Sequence, residues 1–487
     1  MGCFTLYSSS TFHVNAIAVL CVVGFWISQF RCTEGFDSLL QLPQYGSPTT
    51  PLRSKRVLSL CDFGAKGDGI HNDTKALIKA WEKACSFSVK TTIVVPARNT
   101  YLIYPIYLGG PCRSKVTIRI SGTITAPKDP KAWSGLNARK WLYFYEVNHL
   151  TIEGGGTING MGHEWWSRSC KRKPKKSITI LYPFIHFFMT CSKRLFFLLL
   201  GVFQPCRHAP TLRLVSITIQ AITFHKCKNL KVKDLMLVDS QQMHMAFTNC
   251  IRVLASYLKL VAPGSSPNTD AVHISSSRSV EIKHSIFKTG DDCISIVGNS
   301  SRIMIRDISC GPGHGVSIGS LGKSKSWSNV HDVTVDGAFL SNTENGLRIK
   351  TWQGGSGFAS KILFKNVLME NVSNPIIIDQ YYCDSQKPCH NQTMAVKVKN
   401  ISFIHIKGTS ATEEAIQFTC SDDLPCEGLY LEDVQLQSCI GETTRSSCWE
   451  AYGSSFGLVD PPACFSVFDG FIKEPGISNS YSRVQSS

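Results

Sequence analysis

Charged side chains are scarce in this chain of 487 residues: Asp, Glu, Lys and Arg make up 18% of it. Soluble domains usually carry about 25%, so the shortage excludes a coiled coil or an array of long solvated helices. Cys-x2-Cys pairs with matching histidines are missing too, which excludes a zinc site. A glycine-rich turn at 63–69 (FGAKGDG) lacks the Gly-Lys-Ser/Thr ending of a phosphate loop, which excludes nucleotide binding there. No uninterrupted apolar run reaches the ~20 residues of a membrane span. Acidic residues are the minority, 35 against 51 Lys and Arg, for a formal net charge of +16. A polyanion is the partner that this balance favours.

What the chain does have is cysteine, 20 in all, and this many suggests an oxidising compartment. Ala16–Ile27 is an apolar run of signal-peptide length, so residues 1–34 are predicted to be a cleaved signal and the protein to be secreted, without stable membrane association. Residues 35–56 read as a linker, 57–474 as one domain and 475–487 as a tail. Asn72, Asn299, Asn371, Asn391 and Asn400 stand in Asn-x-Ser/Thr sequons, as suits a secreted glycoprotein.

Val57–Asp62 is predicted to be a strand. Asp73 to Cys85 carries apolar residues at helical spacing, with Asn72 or Asp73 as cap. Beyond it, short β-branched runs recur, with apolar residues two apart: Thr117–Ile120, Leu150–Ile152, Leu230–Val232, Val280–Ile282, Ile303–Ile305, Val333–Val335 and Ile362–Phe364, with a weaker one at Ile251–Val253. Four units carry a third apolar residue four positions on (Met236, Ile286, Phe339, Leu368), and the Ile303 unit slips by one. Repeats of this length mean a solenoid or a propeller. With no Trp-Asp or kelch signature, the prediction is an all-β parallel β-helix with a short N-terminal helix as cap. Two stretches break the pattern, the aromatic 177–204 and the short 212–220. Both end in Gln, as a translated intron end does, and both are expected to be retained introns.

Four clusters could carry chemistry. Asn268-Thr269-Asp270 places two polar side chains on one side of an extended chain. Gly290-Asp291-Asp292-Cys293 needs a bend to bring both carboxylates to one site, and Gly290 can supply it. Gly313-His314-Gly315 leaves an imidazole unobstructed. Arg348-Ile349-Lys350 puts two cations on one strand face, suited to anionic groups. On successive coils, they would gather three carboxylates, one imidazole and two cations on one wall.

In this order the four clusters resemble the signatures of the polygalacturonases, the family 28 glycoside hydrolases. The resemblance covers most of 57–474, and Asp62-Phe-Gly-Ala-Lys-Gly-Asp-Gly with Ser-Pro-Asn-Thr-Asp is similar to the plant branch. It implies a right-handed parallel β-helix and hydrolysis of α-1,4 galacturonosyl bonds in de-esterified pectin, with inversion and without cofactor or metal. It implies Asp291 as the acid and Asp270 and Asp292 as holders of the attacking water. His314 would tune protonation, and Arg348, Lys350 and Tyr382 would meet the substrate, with Asn268 and His244 as further cleft residues. It also implies a Cys293–Cys310 disulfide. Cys383/Cys389 and Cys420/Cys426 look like local loops. The polyanion is then pectin, bound by a monomer, and the basic run Lys171–Lys176 is a solvated loop without the aromatic or helical reader that nucleic acid would call for. The rival functions are a pectate lyase, which needs a calcium site, and a pectin-binding protein inactivated by the inserts. The choice between internal and terminal attack on the polymer is open at the sequence level.

Overall fold

The computed structural model describes residues 55–137, 139–169, 220–385 and 389–466. The predicted signal, most of the linker, Lys171–Lys176, the inserts apart from Gln220, and the 475–487 tail lie outside the described residues. Gln220, expected to end the second insert, is instead the first residue of the strand Gln220–His225, opposite Lys140. Among the described residues no helix is long and apolar enough to cross a membrane.

The expected strand at Val57–Asp62 is shorter than the reading: Arg56–Ser59 is extended, and a single 3-10 turn, Leu60–Phe63, follows. The helix forms at Thr74–Ser86 and buries Ala76, Leu77, Ala80, Trp81 and Ala84. Its start divides the expected capping role. Asn72 Oδ1 accepts from the Thr74 N–H at 3.0 Å. Asp73 turns back and accepts from the N–H groups of Lys66 and Gly67 at 2.7 and 3.0 Å. The glycine-rich turn is therefore tied to a helix start and cradles a side chain of its own chain. Trp81 pins the helix over the first coils, its indole N–H donating to the Gly109 carbonyl at 3.0 Å.

Everything downstream is coil stacked on coil. Parallel strands build one sheet of 17 and another of 11. Their registers put the recurring runs directly over one another. Leu230, Val253, Val280, Ile303, Val333 and Ile362 form one column, which continues to Ile401 and Leu429. Val232, Ala255, Ile282, Ile305, Val335 and Phe364 form the next inward column. Both are buried throughout. Each coil thus covers the apolar edge of the one before, which no single coil could do alone.

The third residue of the repeat needs correction. Met236, Ile286, Phe339 and Leu368 share an outward column, and Ile286 and Leu368 are 43% and 52% exposed. The buried position is one residue earlier: Leu235, Leu258, Ile308, Ala338 and Val367. The cause is a left-handed corner. Asp234, Tyr257, His284, Asp307 and Asn366 all have φ between 49° and 55°, and one such residue reverses the alternation of faces beyond it. The Ile303 unit, read as slipped, is therefore the one whose apolar residue, Ile308, sits at the buried position. A second left-handed corner, at Asn229, Arg252, Ser279 and Arg302, precedes the runs.

The corner predicts a contrast in stability. Ile305→Ala should lower the unfolding free energy by about 2–5 kcal/mol, while Ile286→Ala, on the preceding coil, should cost less than about 1 kcal/mol. Urea titrations of both variants check this, and comparable losses would refute the outward assignment of Ile286.

Candidate active site

The 11-stranded sheet carries the chemistry on its outer face. Asp270 lies just before the strand Val272–Ser275, Asp291 and Asp292 before Ile294–Ile296, and His314 before Val316–Leu321. Arg348 and Lys350 lie on the strand Asn345–Thr351. Three clusters thus stand just before the strands of successive coils, and the fourth lies within the strand of the next coil. Two glycines permit the stacking. A Cβ on Gly290 would lie 2.0 Å from the Ser266 carbonyl oxygen, so its role is close approach to the coil before rather than a left-handed bend. Gly315 has φ 77°, and a Cβ there would lie 2.0 Å from the Asn345 carbonyl oxygen. A disulfide joins Cys293 to Cys310, tying the Asp-Asp coil to the His314 coil. Cys383–Cys389 and Cys420–Cys426 close short loops, while Cys85–Cys112 and Cys448–Cys464 are pairs that the sequence reading did not assign.

Asp292 is the electrostatic centre. Its Oδ1 accepts from Ser317 Oγ at 2.8 Å and from Arg348 Nη2 at 2.7 Å, and its Oδ2 accepts from Lys350 Nζ at 2.9 Å. All three ionic side chains are nearly buried. The two cations that the sequence reading assigned to a substrate carboxylate thus meet a carboxylate of their own chain. Arg348 is held further by its Nε donating to Ser317 Oγ at 2.9 Å.

Asp291 is the most exposed of the three, with 16% of its side chain accessible against 9% and 3% for Asp270 and Asp292. Its Oδ1 pairs with His314 Nδ1 at 3.1 Å, and the opposite ring nitrogen of His314 faces Glu344 Oε2 at 3.3 Å. Burial opposes a charge on that imidazole, but the bond and charge of Asp291, with the charges of Glu344 and Asp292, outweigh it and raise its pKa above the ordinary value. Asn268 reaches Asp291 Oδ2 with Nδ2 at 3.5 Å. It does so from a left-handed conformation, φ 57°, and not from the extended chain that the spacing suggested.

Asp270 is buried and accepts from Ser295 Oγ at 2.8 Å. Burial first, then the negative charges of Asp291 and Asp292, push its pKa well above the ordinary carboxylate range. Burial and its acidic neighbours thus favour the protonated form of Asp270. His273 bonds the same Ser295 hydroxyl through Nδ1 at 2.8 Å, and burial pushes its pKa down to about 4.

Tyr382 packs edge-on against Trp352 at 5.5 Å, with Lys350 Nζ 5.4 Å from its ring centroid. Burial raises its phenol. His244 does not reach the cleft. It is fully buried, with its ring nitrogens 3.3 and 3.2 Å from the carbonyl oxygens of Asp270 and Val261, so it braces the Asp270 loop from behind. The sequence reading missed His273, Ser295, Ser317 and Glu344. The first three carried a signal: each stands three residues after Asp270, Asp292 or His314, and they pair in register up to Arg348. Glu344 carried none.

Asp291, Asp292 and His314 offer ligand atoms within 4.8 Å of one another, the kind of set that holds a divalent ion. Here Arg348 and Lys350 already neutralise Asp292, so an added cation would meet two others at contact distance. The donor set does not suit calcium.

Residues 85–189 and 213–454 match the profile of Glycosyl hydrolases family 28. The match runs through 177–189 and 213–220, which the sequence reading set apart, and breaks only at 190–212. A probable polygalacturonase of Arabidopsis thaliana is 52% identical over 96% of this chain and 97% of its own. A polygalacturonase of Persea americana is 43% identical, with 91% of each chain covered. Among solved structures, the polygalacturonase of Erwinia carotovora superposes with a TM-score of 0.60 at 21% identity, covering 85% of this chain and 99% of that one. The exopolygalacturonase of Thermotoga maritima does so with a TM-score of 0.63 at 19% identity, covering 82% and 90%. These likenesses identify the solenoid as a right-handed parallel β-helix. By the extent of the profile match and the identity to these plant relatives, the chain belongs to glycoside hydrolase family 28.

Proposed function

We propose that this enzyme hydrolyses α-1,4 galacturonosyl bonds in de-esterified pectin with inversion at the anomeric carbon. The observation that carries the reading is the division of labour among three neighbouring carboxyl groups: one held by two cations, one biased toward its protonated form by burial, and one open to the cleft beside an imidazole.

The chemistry follows from where the proton rests. Substrate binding excludes water and moves the proton from Asp270 to Asp291, the neighbour nearest the cleft. Asp291 then protonates the leaving glycosidic oxygen as the bond to the anomeric carbon breaks. A water held between Asp270 and Asp292 attacks the opposite face and gives its proton to Asp270. The final protonation state equals the first, so the cycle closes without further exchange. The nearest oxygens of Asp291 and Asp292 lie within 4.8 Å, closer than the ~6.5–9.5 Å common between inverting carboxyls, and the attacking water is accordingly assigned to the Asp270 side. Retention would need Asp292 as a nucleophile. With three hydrogen bonds on its two oxygens and two cations against it, it is a poor one.

The same pair of cations argues against a calcium-dependent lyase. The complete set of charged side chains argues against an inactive pectin binder. Disulfides and the exposed positions of Asn72, Asn299, Asn371, Asn391 and Asn400 suit glycosylation and action outside the cell, in the cell wall. The break in the family match at 190–212 falls within the region of the two suspected introns; a transcript carrying both segments would refute that origin.

Polygalacturonate incubated with the purified chain at acidic pH should release reducing ends. Asp291→Asn should lower the rate by about 10²–10⁴-fold. No release by a folded wild-type chain sinks the reading. Proton NMR of the first product should show the inverted anomer, and retention would reassign Asp292 as nucleophile. The rate should fall as pH rises, because Asp270 and His314, both with raised pKa values, then lose their protons. Asp270→Asn should abolish activity yet stabilise the fold. A carboxyl whose folded pKa is raised costs stability as pH climbs from its unfolded value, about 3.9, to its folded one. The variant's melting temperature should therefore match wild type below about pH 4 and exceed it progressively at higher pH.

A further inference from the structure

The chain's formal charge of +16 is not concentrated in the cleft, where Arg348 and Lys350 face Asp292. Part of it is arrayed on another edge of the coils. The carboxyl groups lie before strands of the 11-stranded sheet: Asp270 precedes Val272–Ser275, and Asp291 and Asp292 precede Ile294–Ile296. Arg278 and Arg302 follow those same strands, at or beside the left-handed corner where each coil enters the 17-stranded sheet. The length of Val272–Ser275, ~13 Å, lies between cleft and corner.

One cation per coil stands at this corner. Lys228, Ile251, Arg278 and Ser301 share a column by register. The residues after them, Asn229, Arg252, Ser279 and Arg302, are the corner itself, with φ between 55° and 59°. Lys228, Arg252, Arg278 and Arg302 thus come from successive coils and alternate between two neighbouring columns. All of them are exposed. Arg252 Nε is steadied by donating to Asn229 Oδ1 at 2.6 Å. Arg252 and Arg302 line a groove of about 420 Å³, along which Lys231, Leu254, Glu281 and Met304 form one column. Glu281 is already held by Lys283 at 3.1 Å and by Arg306. Among the described residues, Lys228, Lys231, Arg252, Arg278 and Arg302 form no ion pair. The next coil puts Asp332 at the corner, with φ 55°, and ends the series.

We propose that this corner is a second docking site, without catalytic groups, for a segment of de-esterified galacturonan. The choice of ligand rests on the galacturonan reading of the carboxyl cluster. Coils stack at about 4.8 Å, so the cations recur at a step close to the length of one pyranose unit in an extended chain. A polyuronate carries one carboxylate per unit, and in a two-fold conformation these alternate from side to side, as the cations do. Each guanidinium or ammonium then meets one carboxylate, while Leu254 and Met304 offer apolar contact to the sugar C–H groups. A neutral or fully methyl-esterified chain has no such match. Exposed ion pairs are individually weak, so the site acts on a polymer, where several form together. It holds the enzyme to a pectin network between cuts and raises the local concentration of bonds for the cleft.

The test uses the full Asp291→Asn chain with its cleft filled by a saturating short galacturonan oligomer. De-esterified polymer should still bind, and fully methyl-esterified polymer should not. Arg252→Asn with Arg302→Asn should weaken the remaining binding about fivefold, as two exposed ion pairs allow, and make it less sensitive to salt. Asn229 already occupies the same corner, so asparagine suits the left-handed backbone there. Lys228→Gln with Arg278→Gln, which leaves the corner residues alone, should act alike. With Asp291 intact, neither pair should change kcat or KM on short oligomers, while both raise KM on the polymer. Loss of polymer binding once the cleft is filled overturns the proposal, as does unchanged binding by both pairs. Polyglutamate bound as tightly as galacturonan of equal charge would reduce the corner to a general anion patch and overturn it too. If wild type cleaves no galacturonan, the functional reading fails, whatever the corner binds. If it cleaves and the filled-cleft binding is absent, only the corner fails.

Discussion

The constraint on which the rest depends is register. In a parallel coil each residue stands directly over its counterpart one turn earlier, held by backbone hydrogen bonds evenly spaced along the sheet. A slip of one residue would exchange the faces of a strand, burying polar groups and exposing the core. Leu230 through Leu429 therefore cannot move relative to one another, and neither can the side chains on the outer face. Asp292, Ser317 and Arg348 come within hydrogen-bond distance because the strands carrying the last two are paired in register. Their precision is the precision of the core.

Within that frame the site is a problem of buried charge. Taking a carboxylate out of water is costly unless it is paired and hydrogen-bonded. The protein solves this differently for each of three neighbours. Asp292 is compensated by two cations and a hydroxyl. Asp291 keeps contact with solvent and an imidazole. Asp270 has the Ser295 hydroxyl and, at 3.9 Å, His273 Nδ1, and burial beside two acidic neighbours favours its protonated form. One residue type thus meets three different surroundings on two adjacent coils, and the functional assignment follows from those differences.

The sequence was legible where a local pattern sufficed. The inward columns appear as alternating β-branched residues, and the first helix as five apolar residues at helical spacing. The clusters carrying Asp270, Asp291, Asp292, His314, Arg348 and Lys350 appear as motifs. Illegible were the features set by the third dimension. The left-handed corner that turns Ile286 outward is a single residue, and Asp234, Tyr257 and His284 share no side-chain type that announces it. His244 looked like a cleft residue because polarity alone does not say which side of a loop a ring occupies. Arg348 and Lys350 were recognised as anion binders, but a pattern of spacing cannot tell whether the anion belongs to a ligand or to the chain itself. Glu344 was invisible for the opposite reason: an exposed acid in a turn is ordinary until the His314 ring is placed beside it.

The left-handed corners have a consequence for how such a chain can vary over time. Between the two corners of a coil, deleting or adding one residue reverses the faces of the strand and is lethal to the core. Beyond them, in the connections that lead from one sheet to the next, length is nearly free. Inheritance in this architecture is therefore punctuated: segments of fixed count alternate with segments of open count, and novelty accumulates only in the latter. Whole coils can be gained or lost as units, since a coil brings its own corners with it. Such a change would lengthen or shorten the outer face beside the carboxyl cluster in steps of one strand spacing and leave the cluster itself untouched, so the length of the solenoid can evolve separately from its chemistry.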